Sequence, residues 1–354
     1  MPDKETRRSF LTKSAAAGTA SLIAGSTSEA AQKKAGSKLK VGVFGLDYTF
    51  WNLWADLLSP EGKSSGTNLF NMEASHVWDK DIKKAENFAK KWGCKVVKKY
   101  DGMLGKVDGV VNGELYNVPW QHKMFRPYIE AGVPTYLSRP WSSRLRDLDY
   151  MLDLAAKNNT PLCASAAYEH YNEADNFQHK LKSIGEIEAV FATCGANDRP
   201  HFHIPYMMMK ILGYNVDKIS LMTNDPKKPD YLQTTYIYSA AENQPQYALS
   251  MHGSRAYVFS FTIIGKEGTE SVNMPSGASY FYRFAPQLID IQKTLDGKSY
   301  QPFDIVRKKF EAVLTEYYSH YERGGTPVKV GTVPQDWQLP PWKPDWYDDS
   351  DFKD

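Results

Sequence analysis

The sequence has little cysteine, little surplus charge of either sign and no long apolar run. Its 354 residues include three cysteines, Cys94, Cys163 and Cys194. They are scattered, odd in number and form no C-x-x-C pair, so neither a disulfide framework nor a zinc site is signalled. Cys94 and Cys163 read instead as small buried hydrophobes. A formal net charge of +2 offers no basic surface for nucleic acid. The apolar stretch nearest the N-terminus, about Ala15 to Gly25, is rich in Ala, Gly and Ser. It falls short of the roughly 20 apolar residues a spanning helix needs. What the chain does have is aromatic residues, with 22 Tyr and 9 Trp, enough for a large core or for a cleft that stacks on sugar rings.

A second shortage lies in "KLKVGVFGLDYTFWNLWADLL", residues 38–58. An apolar strand runs into Gly45 and then an apolar helix, the beginning of a dinucleotide-binding unit. The G-x-G-x-x-G pattern that lets a pyrophosphate approach the helix N-terminus is otherwise missing. Asp47 stands in the second glycine position and Phe50 in the third. Asp47 suits a helix N-cap, but its charge opposes a phosphate and Phe50 obstructs close backbone approach. Either the phosphates shift or no dinucleotide binds.

Residues 1–30 read as a twin-arginine export signal: Arg7 and Arg8, then Ser9-Phe10-Leu11 and Lys13, a weak apolar core and small residues up to Ala30. Cleavage there would leave a mature chain outside the cytoplasm, in the periplasm, with no membrane insertion. Proteins exported by this route leave already folded, which favours a tightly held cofactor.

From residue 38 to 165, strand signals alternate with helix signals: "KVGVFG", "EASHVWD", "KVV", "VDGVVNG", "VPTYLS" and "PLCASAA" are separated by amphipathic segments. "YDGMLG" also reads as helical. This pattern predicts a Rossmann-like, doubly wound parallel sheet. Residues 166–332 are β-rich and alternate polar with apolar, which predicts an α+β domain with an open, mainly antiparallel sheet. Helices are expected at "NEADNFQHKLKSIG", "PYMMMKILG" and "FDIVRKKFEAVLTEYYSHYERGG", and residues 333–354 form an aromatic, acidic tail that docks by its aromatics or stays loose.

The order of elements over residues 38–332 resembles the Gfo/Idh/MocA oxidoreductases. "RPYIEAGVPTYLSRPWSSRLRDLDYML" is similar to the segment that in the family reads "ALEAGKHVYVEKPLA", and "HFHIPYMMMKILG" to "GxHxxDxxxxLxG". "GLDYTFW" is similar to a branch whose loop reads Gly-Leu-Asp-Thr-Ser-His. The resemblance implies NAD or NADP as cofactor, a small carbohydrate or polyol as substrate, and a C-terminal sheet face that a second copy of the chain could cover. It places Gly45, Leu46, Asp47 and Tyr48 in the cofactor loop; Asp79, ending the second strand, reads either as the partner of ribose hydroxyls or as a turn residue. Glu114, with Tyr116 and Asn117, follows the fourth strand, where open α/β sheets place ligands.

In the family's Glu-Lys-Pro motif the lysine holds a substrate hydroxyl and moves its proton. Here Ser138-Arg139-Pro140 stands in its place. Arg139 keeps the charge but cannot exchange a proton, so it is read as a clamp beside the cofactor or as a structural ion-pair partner. His203 aligns with the family's histidine and is the candidate base. The acid expected four positions earlier is Arg199, leaving Asp198 as an orienting group only if the loop shifts by one residue, and Tyr206 replaces another acidic residue. Tyr168 and His170 in "AAYEHYNEA" are read as cleft residues. His201-x-His203, with Glu169 or His170, has a spacing that metals accept, but two histidines without a matching carboxylate motif do not make a metal site, and none is assigned. His252 reads as a sheet-edge residue. Two functions follow: an exported NAD(P)-dependent oxidoreductase acting on a sugar or polyol hydroxyl, or a cofactor-free descendant serving as a carbohydrate-binding protein, lyase or hydrolase.

Overall fold

Short, almost wholly apolar runs become the first sheet. Its strands are β1 (Leu39–Phe44), β2 (Met72–Trp78), β3 (Lys95–Val96), β4 (Gly109–Asn112), β5 (Thr135–Ser138) and β6 (Leu162–Ser165). They lie in the order β3-β2-β1-β4-β5-β6, and each neighbouring pair is parallel. A parallel sheet covered on both faces needs apolar side chains on both sides of a strand, and all four residues of β4 and of β6 are buried. The computed structural model describes residues 38–46, 54, 70–113, 117–170, 172–194, 202–223, 231–238, 247–253, 259–274, 285–298, 301–340 and 352. The expected export signal lies outside them.

Helices α1 (Ile82–Trp92), α2 (Gln121–Glu130) and α3 (Leu145–Lys157) accompany this sheet, and α4 (Asn172–Lys180) follows its last strand in the chain. The sequence explains α1 residue by residue. Asp81 caps its start by accepting from the Lys83 N–H, Ala85 and Phe88 form its buried stripe, and Gly93, at φ 73°, closes it by donating to the Ala89 carbonyl. The helix expected over "YDGMLG" does not form. Residues 100–106 make turns, with Gly105 at φ 69°, a left-handed conformation that glycine accepts and a helix does not.

The second sheet comprises β7 (Ile187–Cys194), β8 (Val216–Thr223), β9 (Tyr231–Tyr238), β10 (Tyr247–Gly253), β11 (Phe259–Gly265), β12 (Gly268–Met274) and β13 (Val328–Lys329). Their order is β12-β11-β7-β10-β9-β8-β13. The β7/β10 pair is parallel and the others are antiparallel. The run from Phe259 to Met274 folds back as the β11/β12 hairpin, with Gly265 opposite Gly268. A Cβ on Gly265 would lie 2.2 Å from the Ile184 carbonyl oxygen, so glycine is required there.

The remaining helices are α5 (His203–Leu212), α6 (Ala285–Leu295) and α7 (Phe303–Arg323). Helix α6 was not expected from the sequence. Gln287, Asp290 and Thr294 share its buried side with Leu288, Ile291 and Leu295, which blurs the apolar stripe. It packs on β5 and β6 of the first sheet, and Leu295 occupies the space above Gly109, where a Cβ would lie 2.0 Å from its Cδ2. The described residues of the C-terminal segment contact the rest of the chain. Leu339 donates its N–H to the Ser143 carbonyl, Trp337 packs edge-on against Tyr318, and Phe352 packs against Tyr100.

Candidate active site

The C-terminal ends of the parallel strands are where this topology gathers ligand-facing residues. At the end of β1, Gly45 adopts φ 69°. At the end of β2, Asp79 is 4% exposed and is tied to that loop: its Oδ2 accepts from the Leu46 N–H at 2.7 Å and its Oδ1 from the Asp81 N–H at 2.8 Å. Each carboxylate oxygen accepts more than one hydrogen bond, so Asp79 can hold the loop and still receive a ribose hydroxyl. The described residues fit a dinucleotide's ribose in this respect. The Leu46 N–H, however, is already engaged and is not offered to a phosphate. Asp47, Tyr48, Phe50, Glu114 and Tyr116 lie outside the described residues. After β4, Asn112, Asn117 and Gln121 form a buried amide cluster, Asn117 bonding both of the others.

Strand β5 delivers Arg139, which is 2% exposed and followed by a cis bond to Pro140; the Ser138 side chain is outside what the structure describes. Next comes Trp141, fully buried and stacked on Tyr206 from α5, with ring centroids 5.0 Å apart and planes within 8°. The Tyr206 phenol is pushed well above its ordinary value by burial and by the charge of Glu169, against the opposing charge of Arg139, with Glu316 adding to the rise. It stays a neutral hydroxyl at working pH. His203 opens α5 and so shares an element with Tyr206. Asp198, Arg199 and His201 lie outside the described residues, as do the side chains of Tyr168 and His252.

Glu169 and His170 end the short 3-10 turn Ala167–His170 after β6, and both are buried. Glu169 Oε1 accepts from the Ala166 N–H at 2.8 Å, and Oε2 meets Lys309 of α7 at 2.5 Å and Gln301 at 3.3 Å. The Lys309 ammonium also donates to Gln301 Oε1 at 2.7 Å and lies 4.8 Å from the Trp141 ring centroid and 5.0 Å from that of Tyr206. Burial lowers Lys309 more than Glu169 raises it. His170 turns the other way. Its Nδ1 meets Asp290 of α6 at 2.5 Å and its Nε2 meets Ser165 Oγ at 2.8 Å. Both ring nitrogens are therefore engaged within the protein, and the His170 of the sequence reading has the contacts of a packing group. Among the described residues, no cluster of three or more His, Cys, Asp or Glu side chains could hold a metal ion.

Sequence reading missed Lys309, Asp290 and Glu316. Helix α7 carries Lys309, Ala312, Glu316 and Ser319 as a buried line at spacings of three, four and three. That line runs beside the apolar stripe that was recognised, so spacing alone held a signal. Cys94 and Cys163 are free thiols, pushed up by burial, Cys94 to about 11.

No sequence-family model and no curated protein matches the chain. Solved structures do. A myo-inositol dehydrogenase from Corynebacterium glutamicum ATCC 13032 matches with TM-score 0.66 at 13% identity over 84% of this chain and 100% of that one. The scyllo-inositol dehydrogenase of Lactobacillus casei, solved with NAD(H) and scyllo-inositol, matches with TM-score 0.66 at 13% identity over 83% and 99%. An oxidoreductase from Agrobacterium radiobacter, solved with NAD+, L-tartaric acid and magnesium, matches with TM-score 0.65 at 14% identity over 83% and 99%. The chain shares the fold of these dehydrogenases. At these identities the likeness speaks for architecture: a parallel sheet of Rossmann type joined to a mainly antiparallel one.

Proposed function

We propose that the chain is an oxidoreductase that moves hydride between a nicotinamide dinucleotide and a hydroxyl of a sugar or polyol. The observation that carries this reading is the buried Arg139 at the end of β5, preceding Trp141 and acting on Tyr206, in a fold shared with dehydrogenases solved with NAD(H) or NAD+. A bound nicotinamide supplies the hydride acceptor. Asp79 holds the loop at the end of β1 and receives ribose. Arg139 orients the reacting hydroxyl and cannot take its proton. His203 takes it, since imidazole exchanges protons near neutral pH.

The test is formation of NADH from NAD+, or of NADPH from NADP+, by the full chain with myo-inositol, scyllo-inositol and a panel of aldoses. His203→Ala should lower turnover by about a hundredfold or more. Turnover unchanged in that variant removes His203 from the role. One observation favours a second reading, a cofactor-free carbohydrate-binding protein: the Leu46 N–H already donates to Asp79. Calorimetry separates the two, because polyol binding without heat from any dinucleotide selects the second.

The proposal places the protein outside the cytoplasm, on the strength of Arg7 and Arg8 ahead of a weak apolar core. Changing both arginines to lysine should retain the chain in the cytoplasm on cell fractionation. Unaltered recovery from the periplasm would refute that route.

A further inference from the structure

Behind Arg139 runs a continuous hydrogen-bonded chain of buried side chains. Gln287 Nε2 of α6 donates to the Tyr136 hydroxyl at 2.7 Å. The Tyr136 hydroxyl lies 2.6 Å from Ser165 Oγ, Ser165 Oγ lies 2.8 Å from His170 Nε2, and His170 Nδ1 lies 2.5 Å from Asp290 Oδ2. Asp290 also accepts from Lys293 Nζ at 3.0 Å. Gln287, Tyr136 and Ser165 are fully buried, and His170 and Asp290 are 4% and 6% exposed.

With Gln287 Nε2 as the donor at one end and the Asp290 carboxylate as the acceptor at the other, the hydrogen bonds of this chain run in one direction, and Gln287 Oε1 is left without a partner. Burial pushes the Asp290 carboxyl up, but the hydrogen bond and charge of His170, with those of Lys293, outweigh it and hold the group below its ordinary value. Asp290 is thus an acceptor, and His170 Nδ1 carries the proton between them. Tyr136 is raised well above its ordinary value, chiefly by burial, so it remains an O–H donor. Its oxygen receives Gln287, so its proton goes to Ser165. Continued in that direction, the Ser165 proton goes to His170 Nε2. Asp-His-Ser in this order also occurs in hydrolases, but Ser165 is wholly buried and its oxygen already receives Tyr136, so it is not placed to attack a substrate.

The chain crosses from β6 to β5 through the Ser165–Tyr136 bond, next to the registered pair Ser138–Ser165. Arg139 is the next residue after β5. We propose that His170 is a positioning residue that fixes the strand end from which Arg139 leaves, and that it does so as the Nδ1–H tautomer; this rests on the reading of Arg139 as the hydroxyl clamp. Glu169, the preceding residue, is paired with Lys309 beneath Trp141, so the same turn braces the Arg139-Pro140-Trp141 corner from two sides.

The test uses the full chain, unlabelled for kinetics and 15N-histidine-labelled for NMR. The His170 ring, identified by its loss in His170→Asn, should show a protonated Nδ1 and an unprotonated Nε2. In NAD+ reduction with myo-inositol, His170→Asn keeps a donor for Asp290 but cannot reach Ser165, and should raise KM for the polyol about tenfold. Tyr136→Phe should do the same. In an Arg139→Lys background neither should add a further effect, because residues acting through one group are not additive. A proton on Nε2, or an undiminished effect in the Arg139→Lys background, overturns the inference alone. Wild-type protein that reduces no NAD(P)+ with any polyol overturns the oxidoreductase reading and this inference with it.

Discussion

Lys309→Met should destabilise the protein by about 3–5 kcal/mol, the usual cost of leaving one member of a buried ion pair without its partner. Lys309 and Glu169 are both fully buried and 2.5 Å apart, so the orphaned carboxylate would have Gln301 and the Ala166 N–H but no cation in contact through that oxygen. Adding Glu169→Gln should return most of the loss, since the amide oxygen can still accept from Ala166 and carries no charge. Lys309 is lowered by burial despite its partner, which means that attraction within the pair does not outweigh desolvation. A neutral pair should then be nearly as stable as the native one. Urea unfolding of the two variants and the wild type measures this. A double variant as unstable as Lys309→Met would show that the ammonium is needed for its contacts with Trp141 and Tyr206 and not for balancing Glu169.

Glu316→Gln should have the opposite sign. Glu316 is buried on α7 with Thr234 Oγ1 2.6 Å from Oε1 and the Tyr236 hydroxyl 3.5 Å from Oε2, and burial raises its pKa from 4.5 to about 7. Between those values the folded state keeps a proton that the unfolded chain has released. Stability therefore falls as pH rises from about 4.5 to about 7, by about 3 kcal/mol at about 1.4 kcal/mol per pH unit, and stays at that lower level above. Glutamine keeps the two hydrogen-bonding positions without the charge. The variant should match the wild type at pH 4 and exceed it by about 3 kcal/mol at pH 8. Equal stabilities at pH 8 would mean that Glu316 does not carry its charge at a cost.

How far the sequence could be read follows from what each element buries. The parallel strands were legible because strands covered on both faces must be apolar along their length, as "VGVF" and "LCAS" are. Helix α1 was legible because a cap, a stripe and a glycine stop all agree. Helix α6 was not, because Gln287, Asp290 and Thr294 lie on its buried side, the first two serving the Tyr136 and His170 chain. The site divides the same way. Arg139 was singled out only through the resemblance of Ser138-Arg139-Pro140 to the family's Glu-Lys-Pro motif. The spacing of Lys309 with Ala312, Glu316 and Ser319 marks a buried line on α7, but its partner Glu169 lies 140 positions away, so the pairing could not be read. Glu169 and His170 were read as alternative partners of His201 and His203, and His170 as a cleft residue; the turn points the two to different helices, Glu169 to Lys309 of α7 and His170 to Asp290 of α6.

The placement of α6 also sets an order of events during synthesis. The last strand of the first sheet ends at Ser165, but the helix that covers β5 and β6 and seats Leu295 over Gly109 ends at Leu295. At roughly 5–20 residues per second, the ribosome takes on the order of 10 s to make the intervening chain. For that interval the half of the sheet bearing Tyr136 and Ser165 has no lid, and its polar side chains meet water in place of Gln287 and Asp290. The first sheet is thus finished by the second half of the chain, and the N-terminal half alone is not a complete folding unit.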